Sequence, residues 1–414
     1  MERIVTKNNC MGCYACANAC PKDAIIIKQN NYVSNIATVD NSKCVDCHIC
    51  ERVCPAMNVV EVKKADFCYA AWSKNDDDLK KSSSGGIAAV LSRAFLLDKG
   101  IVYGSVSKNQ KVFHDRVDVL SKCDDLRGSK YVESSIGFCY RNVRKDLLNN
   151  KKVLFIGTPC QVAGLNSFLG AKYDNLLTVD LICHGTPLFN YLEEYIHAIL
   201  PKKVRNKWDR ISFRSDKSYV LSVLSGENVL YKREASRDAY FSAFLSGMIF
   251  QQSCYSCKFA APERVGDITI GDFWGLDRKK IPQDYSGKVS VVLPNTTKGK
   301  VLMDSLSKEL IMIKLPLEDA LHPDQGNLLH PSVPHADRAK FLELMPRIGI
   351  KKAIMSTEVG ERIIEQRKKE RHKRLQKRKK YILLLPKHIL IHLLGDNKYL
   401  ALKKQAKRIA IWRR

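Results

Sequence analysis

The sequence predicts three consecutive units: a small α+β module tied together through cysteines, a larger mixed α/β domain, and a basic helical tail. Three observations predict this. A run of four closely spaced cysteines closed by a proline, "CMGCYACANACP", occurs again as "CVDCHICERVCP". From Ser82 to about Gly349, helical and strand periods alternate. The net charge of +26 is concentrated at one end, where residues 351–414 carry 21 Lys and Arg against 5 Asp and Glu.

The first run places Cys10, Cys13, Cys16 and Cys20 before Pro21, and the second Cys44, Cys47, Cys50 and Cys54 before Pro55. Disulfides, zinc, a redox dithiol and an iron–sulfur cluster compete for such a pattern. Structural zinc sites use two cysteine pairs split by a longer loop and need no third cysteine three residues on. A disulfide framework suits a short secreted chain, whereas this one has 414 residues and opens "MERIVTKNNC", without an apolar leader. The doubled run with trailing prolines is the bacterial two-cluster ferredoxin pattern. Residues 1–60 are therefore expected to form an α+β ferredoxin-like two-cluster module. Cys10, Cys13, Cys16 and Cys54 would hold one 4Fe-4S cluster, and Cys44, Cys47, Cys50 and Cys20 the other. His48 reads as a surface residue.

Residues 61–81 read as a connector that enters the next domain through an apolar strand, "FCYAAW". Within 82–349, "SSSGGIAAVLSRAFLLDKG" reads as a helix entered through serines and glycines and stopped at Gly100. "IVYGSV", "VLFIG", "LLTVDLICHG", "DITIGDF" and "KVSVVLP" read as strands. "ISFRS" and "YVLSVLS" read as a hairpin. "IGFCYRNVRKDLLNNKK", "PCQVAGLNSFLG", residues 187–200 and "RDAYFSAFLSGMIF" read as helices. This mixture is a larger mixed α/β domain. Residues 350–414 form the basic amphipathic helical tail.

An apolar content of 45% supports a sizeable core. No apolar run is long enough for a membrane span, so the chain is expected to be cytoplasmic. The body is only mildly basic, so the net charge describes the tail. Nucleic acid is not expected as a partner, because Tyr381, Tyr399 and Trp412 are too widely spaced for a stacking platform. A nucleic-acid-binding protein with structural clusters stands as the alternative from another class. The apolar stretch 381–395 between basic flanks suits an anionic membrane surface, on the inner face of the cell membrane, or a packed C-terminal helix.

Seven cysteines lie outside the doubled run. Cys160 ("FIGTPCQVAGL") and Cys183 ("VDLICHGTP") each follow an apolar strand, and Cys254 and Cys257 form a Cys-x-x-Cys. A strand-end cysteine is most often a small core residue, and a lone Cys-x-x-Cys serves zinc or dithiol chemistry equally well. Strand ends of an α/β sheet share one rim, however, where four thiolates could meet. Cys68, Cys123 and Cys139 read as structural.

"SSSGGIAAVL", "LRGSKYVESSIG", "GTPCQVAGL", "LICHGTP" and "CYSCKFAAPERVGDITIGDFWG", in this order, resemble the coenzyme F420 hydrogenase/dehydrogenase beta-subunit family. The resemblance spans residues 66 to about 295 and implies FAD that exchanges hydride with a deazaflavin, beside a 4Fe-4S cluster. It implies Cys160, Cys183, Cys254 and Cys257 as ligands of a third cluster. It also implies a flavin site at Ser84, Gly85, Gly86, Lys130, Tyr131, Thr158 and Pro159. Asp267 and Asp272 are expected to orient loops near the cluster, and Arg214 to meet an acidic substrate or a phosphate. Similar fused chains suggest a redox role in surface-polysaccharide biosynthesis, although no motif reads a sugar. The expected function is an iron–sulfur flavoprotein oxidoreductase, with an electron-transfer subunit lacking its own substrate as the alternative. The expected partner is a redox protein or a soluble hydride carrier, either deazaflavin or nicotinamide.

Overall fold

A computed structural model describes residues 9–30, 33–215 and 218–383. The first module pairs β1 (Ile25–Asn30) with β2 (Ser34–Val39) as an antiparallel hairpin. Each cysteine run bends into a short helix, Ala15–Ala19 and Ile49–Arg52. Cys16, Ala17 and Ile25 make its small core, with Cys20 and Cys50 against it. A core this small needs additional cross-links to be stable.

The next part is built on an eight-stranded sheet. Its first strands in chain order are β3 (Phe67–Ser73), β4 (Ile101–Lys108), β5 (Lys111–Val117), β6 (Val153–Gly157) and β7 (Leu176–Leu181). A separate three-stranded sheet follows, with β8 (Arg210–Arg214), β9 (Tyr219–Ser225) and β10 (Asn228–Glu234). The large sheet is then completed by β11 (Ile268–Asp272), β12 (Ser290–Pro294) and β13 (Leu310–Pro316), in the spatial order β13-β3-β12-β11-β7-β6-β4-β5. The central strands β4, β6, β7 and β11 are parallel, and their flanks are antiparallel.

Both faces of the sheet are covered. Leu154, Val179 and Ile268 pack with Ile87 and Val90 of the helix Ile87–Leu97. Val153, Phe155 and Leu176 pack with Tyr140 and Val143 of the helix Cys139–Leu148 and with Val162 and Leu165 of the helix Pro159–Leu169. Successive residues of β6 thus point to opposite cores, which is why "VLFIG" is apolar at nearly every position.

The structure departs from the expected boundaries. β3 lies between β13 and β12, and the helix Asp76–Lys81 follows it, so the α/β domain begins inside the stretch read as a connector. The described residues through Val359 form one compact unit, and those from Gly360 a second. The cysteine module is part of the first unit: Gln252 N donates to Ser34 Oγ at 2.9 Å, and Lys63 and Arg264 exchange both backbone hydrogen bonds. The helix Ile350–Met355, assigned to the tail from sequence, buries Ile350, Ala353 and Ile354 in that unit. Beyond it runs the charged helix Glu358–Leu383. The rest of the tail, 384–414, lies outside the described residues.

Candidate redox site

The two cysteine runs share one backbone device. In the first, Gly12 and Tyr14 have φ of 61° and 66°, and in the second, Asp46 and His48 have φ of 54° and 55°. Each pair brackets the second cysteine of its run, Cys13 or Cys47. Left-handed residues set among right-handed ones turn successive N–H groups toward one concavity, the kind of nest found at iron–sulfur sites. Side-chain-bearing residues in this region are strained, and such strain gathers at functional sites. His48 is exposed, as expected, and its Nδ1 lies 3.0 Å from Glu51.

Around these loops the thiols fall into groups. Cys13 is raised well above its ordinary pKa by burial, then by Cys16, and also by Cys160 and Cys10. Cys16 is pushed up to about 12 by burial, then by Cys10 and Cys54. Cys10, Cys13, Cys16 and Cys54 are therefore neighbours. Of the other four, Cys20 and Cys50 pack on one small core, Cys47 neighbours Cys50, and Cys44 hydrogen-bonds to Asp46.

A second group forms in the α/β domain. Cys160 is the residue after Pro159 at the start of its helix, and Cys183 stands just beyond β7. β6 and β7 are parallel neighbours, so their carboxyl ends share one rim. Cys254 lies on a single helical turn, Gln252–Ser256, and Cys257 directly follows it. Burial pushes the Cys160 thiol up to about 12, helped by Cys257 and Cys254. Cys183 is raised by burial and by Cys254, Cys160 and Cys257 together. Among the described residues, no group of His, Cys, Asp or Glu is arranged around a single metal ion. The four thiols nevertheless act on one another's charge and so are neighbours. A donor set made only of soft thiolates suits an iron–sulfur cluster.

Next to this group, a cavity of about 290 Å³ opens at the carboxyl ends of the parallel strands. Cys160 and Cys183 line one part of it, and Ser83, Ser84 and the first turn of the helix Ile87–Leu97 line another. That helix has Gly86 as its N-cap and no side-chain cap. The first N–H groups of a helix have no partner within it and favour anions. An uncapped N-terminus in a cavity wall is suited to a phosphate group.

Each residue expected at the flavin site can now be placed. Ser84, Gly86, Lys130, Tyr131 and Thr158 line the cavity. Gly85 does not, and its N–H already donates to Ser290 Oγ at 2.9 Å. Pro159 is buried behind the lining as the first residue of its helix. Lys130 Nζ donates to the carbonyls of Ser105 and Arg127 at 2.8 and 2.9 Å, and more weakly to those of Leu126 and Asp125. Burial lowers its pKa to about 7. Its ammonium therefore holds the 125–130 loop. The Tyr131 hydroxyl accepts from Arg214 Nε at 3.0 Å. Arg214 also pairs with Asp272 and lies 3.6 Å over the Tyr219 ring. Thr158 joins Gln161 in a capping box and sits 3.2 Å from Cys160 Sγ. Asp267 ties Thr178 to Thr296 through its two oxygens.

Glu133, His114 and His184 are among the lining residues that were not singled out from sequence. Glu133, raised by burial, accepts from Phe189 N, Asn35 Nδ2 and Gln251 Nε2, and so joins the cysteine module to the α/β domain. It lies within "SKYVESS", but nothing in that spacing marks a carboxylate. His114 lies on β5, a strand the sequence reading missed. His184, adjacent to Cys183, is lowered by burial.

The comparisons agree with this division. Residues 150–319 match the family described as the C-terminal region of the beta subunit of coenzyme F420 hydrogenase/dehydrogenase. Residues 9–58 match the 4Fe-4S dicluster domain. The beta-subunit segment contains Cys160, Cys183, Cys254 and Cys257, and the dicluster segment contains all eight cysteines of the doubled run. No curated protein matches the chain significantly. Among solved structures, the chain is similar to one from the xenon-derivatised F420-reducing NiFe hydrogenase complex of Methanosarcina barkeri. The identity is 17%, the coverage is 77% of this chain and 94% of that one, and the TM-score is 0.42. With a dicluster module and a beta-subunit segment, the chain is an iron–sulfur protein of the electron-transfer and oxidoreductase class. Among the described residues, no helix is long and apolar enough to cross a membrane.

Proposed function

We propose that this chain is an iron–sulfur flavoprotein oxidoreductase that binds FAD in the 290 Å³ cavity and a third 4Fe-4S cluster at Cys160, Cys183, Cys254 and Cys257. The observation that carries the reading is that one cavity is lined both by two of these cysteines and by the uncapped start of the helix Ile87–Leu97. FAD, when bound, exchanges hydride with a two-electron donor and single electrons with a cluster.

The chain's residues do the rest. The first-turn N–H groups of that helix, with Ser83 and Ser84, bind the pyrophosphate. Lys130 fixes the 125–130 loop through its carbonyl bonds. Burial keeps His114 neutral, so that side of the cavity gains no positive charge. Cys10, Cys13, Cys16 and Cys54 hold one ferredoxin cluster, and Cys20, Cys44, Cys47 and Cys50 the other, which leads outward to a redox partner protein. A deazaflavin or a nicotinamide is the two-electron donor. A role in polysaccharide biosynthesis rests on the resemblance of fused chains alone.

The test is anaerobic mixing of the purified chain with a reduced deazaflavin or with a reduced nicotinamide, and no partner protein. Bleaching of the flavin absorbance by one of them supports the reading. A flavin-loaded chain that neither donor reduces would favour a subunit without its own substrate.

A further inference from the structure

The contact between the cysteine module and the α/β domain is built around one glycine and one tyrosine. Gly164 lies in the helix that begins with Pro159 and Cys160. A Cβ at this position would meet Tyr140 Oη at 3.0 Å and both Cys13 Cβ and Cys13 O at 3.1 Å. Only a residue without a side chain lets Cys13 come this close to the helix. Tyr140 is fully buried, and its hydroxyl lies 2.8 Å from Cys13 O and 2.8 Å from Gln161 O. A phenol has one proton to donate, so this one is shared between the first cysteine run and the residue after Cys160.

The surrounding contacts hold the same seam. Arg141, the next residue, donates to Asn18 O at 2.8 Å, Cys20 O at 2.9 Å and Asp23 Oδ1 at 2.6 Å. Asn18 Nδ2 donates to Gly137 O at 2.8 Å. These partners are backbone carbonyls and short side chains, so the module is fastened at this point and does not swing on its connector. The fastening has a direction. Cys13 is the cysteine of the module that the Cys160 thiol acts on, and Lys258 of the α/β domain meets the second run only past its last cysteine, at Pro55 O and Asn58 O, whereas Cys47 is exposed.

We infer that the Tyr140–Gly164 seam is the fixed electron junction of the chain: current passes between the Cys160 site and the Cys13 site, and the Cys20, Cys44, Cys47 and Cys50 site is reached only after it. This rests on the proposed reading that both sites hold clusters. Each crossing moves one electron from the Cys160 side to the Cys13 side, or the reverse. No bond forms or breaks and no proton moves. The two-electron donor named above is the source, and the external redox partner is the acceptor. Tyr140 and Gly164 act here as positioning residues, since neither ligates a cluster.

The experiment compares wild type, Tyr140→Phe and Gly164→Val, each as the full chain, by iron content, by electron paramagnetic resonance of the fully reduced protein, and by rapid-mixing reduction. Wild type is expected to hold about twelve irons and to show, besides the coupling within the module's own pair of clusters, a magnetic interaction that disappears when Cys254 and Cys257 are both changed to Ser. Gly164→Val should keep its iron, weaken that interaction and delay reduction of the module's clusters relative to flavin bleaching. Tyr140→Phe, which keeps the ring, should do the same to a smaller extent, and it decides the matter if Gly164→Val loses iron. Unchanged interaction and unchanged delay in iron-loaded Tyr140→Phe and Gly164→Val would overturn the junction while leaving the proposed function standing. Eight irons in wild type would remove the third cluster, and the junction with it.

Discussion

Arg264 and Asp180 form an ion pair at 2.9 Å with side chains only 1% and 0% exposed, and they join the two chain segments that carry Cys257 and Cys183. Every arm of the pair is used. Arg264 donates to Phe259 O, Ala261 O and Leu181 O, while Asp180 accepts from Val265 N, Gly266 N and Thr269 Oγ1. The pair holds the loop after the Cys-x-x-Cys against the end of β7. Removing one partner of a buried pair strands the other charge. Arg264→Met should therefore cost about 3–5 kcal/mol, read by chemical denaturation, and should lower iron content at the second cysteine site first.

A pH effect follows from His114. Its Nε2 donates to Ile156 O at 3.1 Å, and its Nδ1 lies 2.9 Å from Ser134 Oγ, a hydroxyl able to donate to the neutral ring. Burial holds its pKa down at about 4. The unfolded chain takes up this proton below about 6.5, and the folded chain only near 4. Stability is thus lost as pH falls through that window, by about 3 kcal/mol over its full width. Denaturation midpoints between pH 7 and 5 should fall less steeply in His114→Asn than in wild type. Equal slopes would remove His114 as the cause.

The flavin reading makes a separable prediction at Gly86. This residue has φ of +85°, and an added Cβ would stand 3.3 Å from Ser73 Cβ and 3.4 Å from Asp78 Cβ. Gly86→Ala should cost about 1–2 kcal/mol for the left-handed backbone and still bind FAD. Gly86→Asp carries the same strain and adds a negative charge at the helix N-terminus, so it should bind none. Flavin released on denaturation measures both. Equal flavin in the two variants would argue against a phosphate at this helix.

Much of this site could be read in the sequence because its chemistry is local. Four thiols with a trailing proline declare themselves by spacing, and apolar runs such as "VLFIG" mark strands buried on both faces. What could not be read depends on tertiary partners. "FCYAAW" reads as an apolar strand that ends a connector, but nothing local says that β12 and β13 will flank it. β5 and β10 are edge strands with charged residues, so their period is weak. Lys130 was expected at the flavin site, and no spacing shows that four carbonyls from the 125–127 stretch and from β4 surround it. Gly164 and Tyr140 carried no signal at all, since their role depends on Cys13.

The tail is testable although its residues 384–414 lie outside the described ones. A chain ended at Gly349 would lose Ile350, Ala353 and Ile354 from the core, so the proper truncation keeps residues through Gln376. Each Lys or Arg near an anionic surface contributes about 1 kcal/mol. The full chain should sediment with anionic vesicles at low salt and be released at high salt, and the chain ended at Gln376 should not bind. Equal behaviour of both chains would leave a protein partner as the tail's target.

The central claim is that one α/β cavity couples a flavin to a third cluster. Its most direct measurement is the iron, acid-labile sulfide and flavin content of anaerobically purified chain, taken together with that of the Cys254→Ser, Cys257→Ser double variant. The account predicts about twelve irons and twelve sulfides with one FAD in wild type, and about eight of each in the variant. Eight irons in both, with no flavin in either, would contradict it.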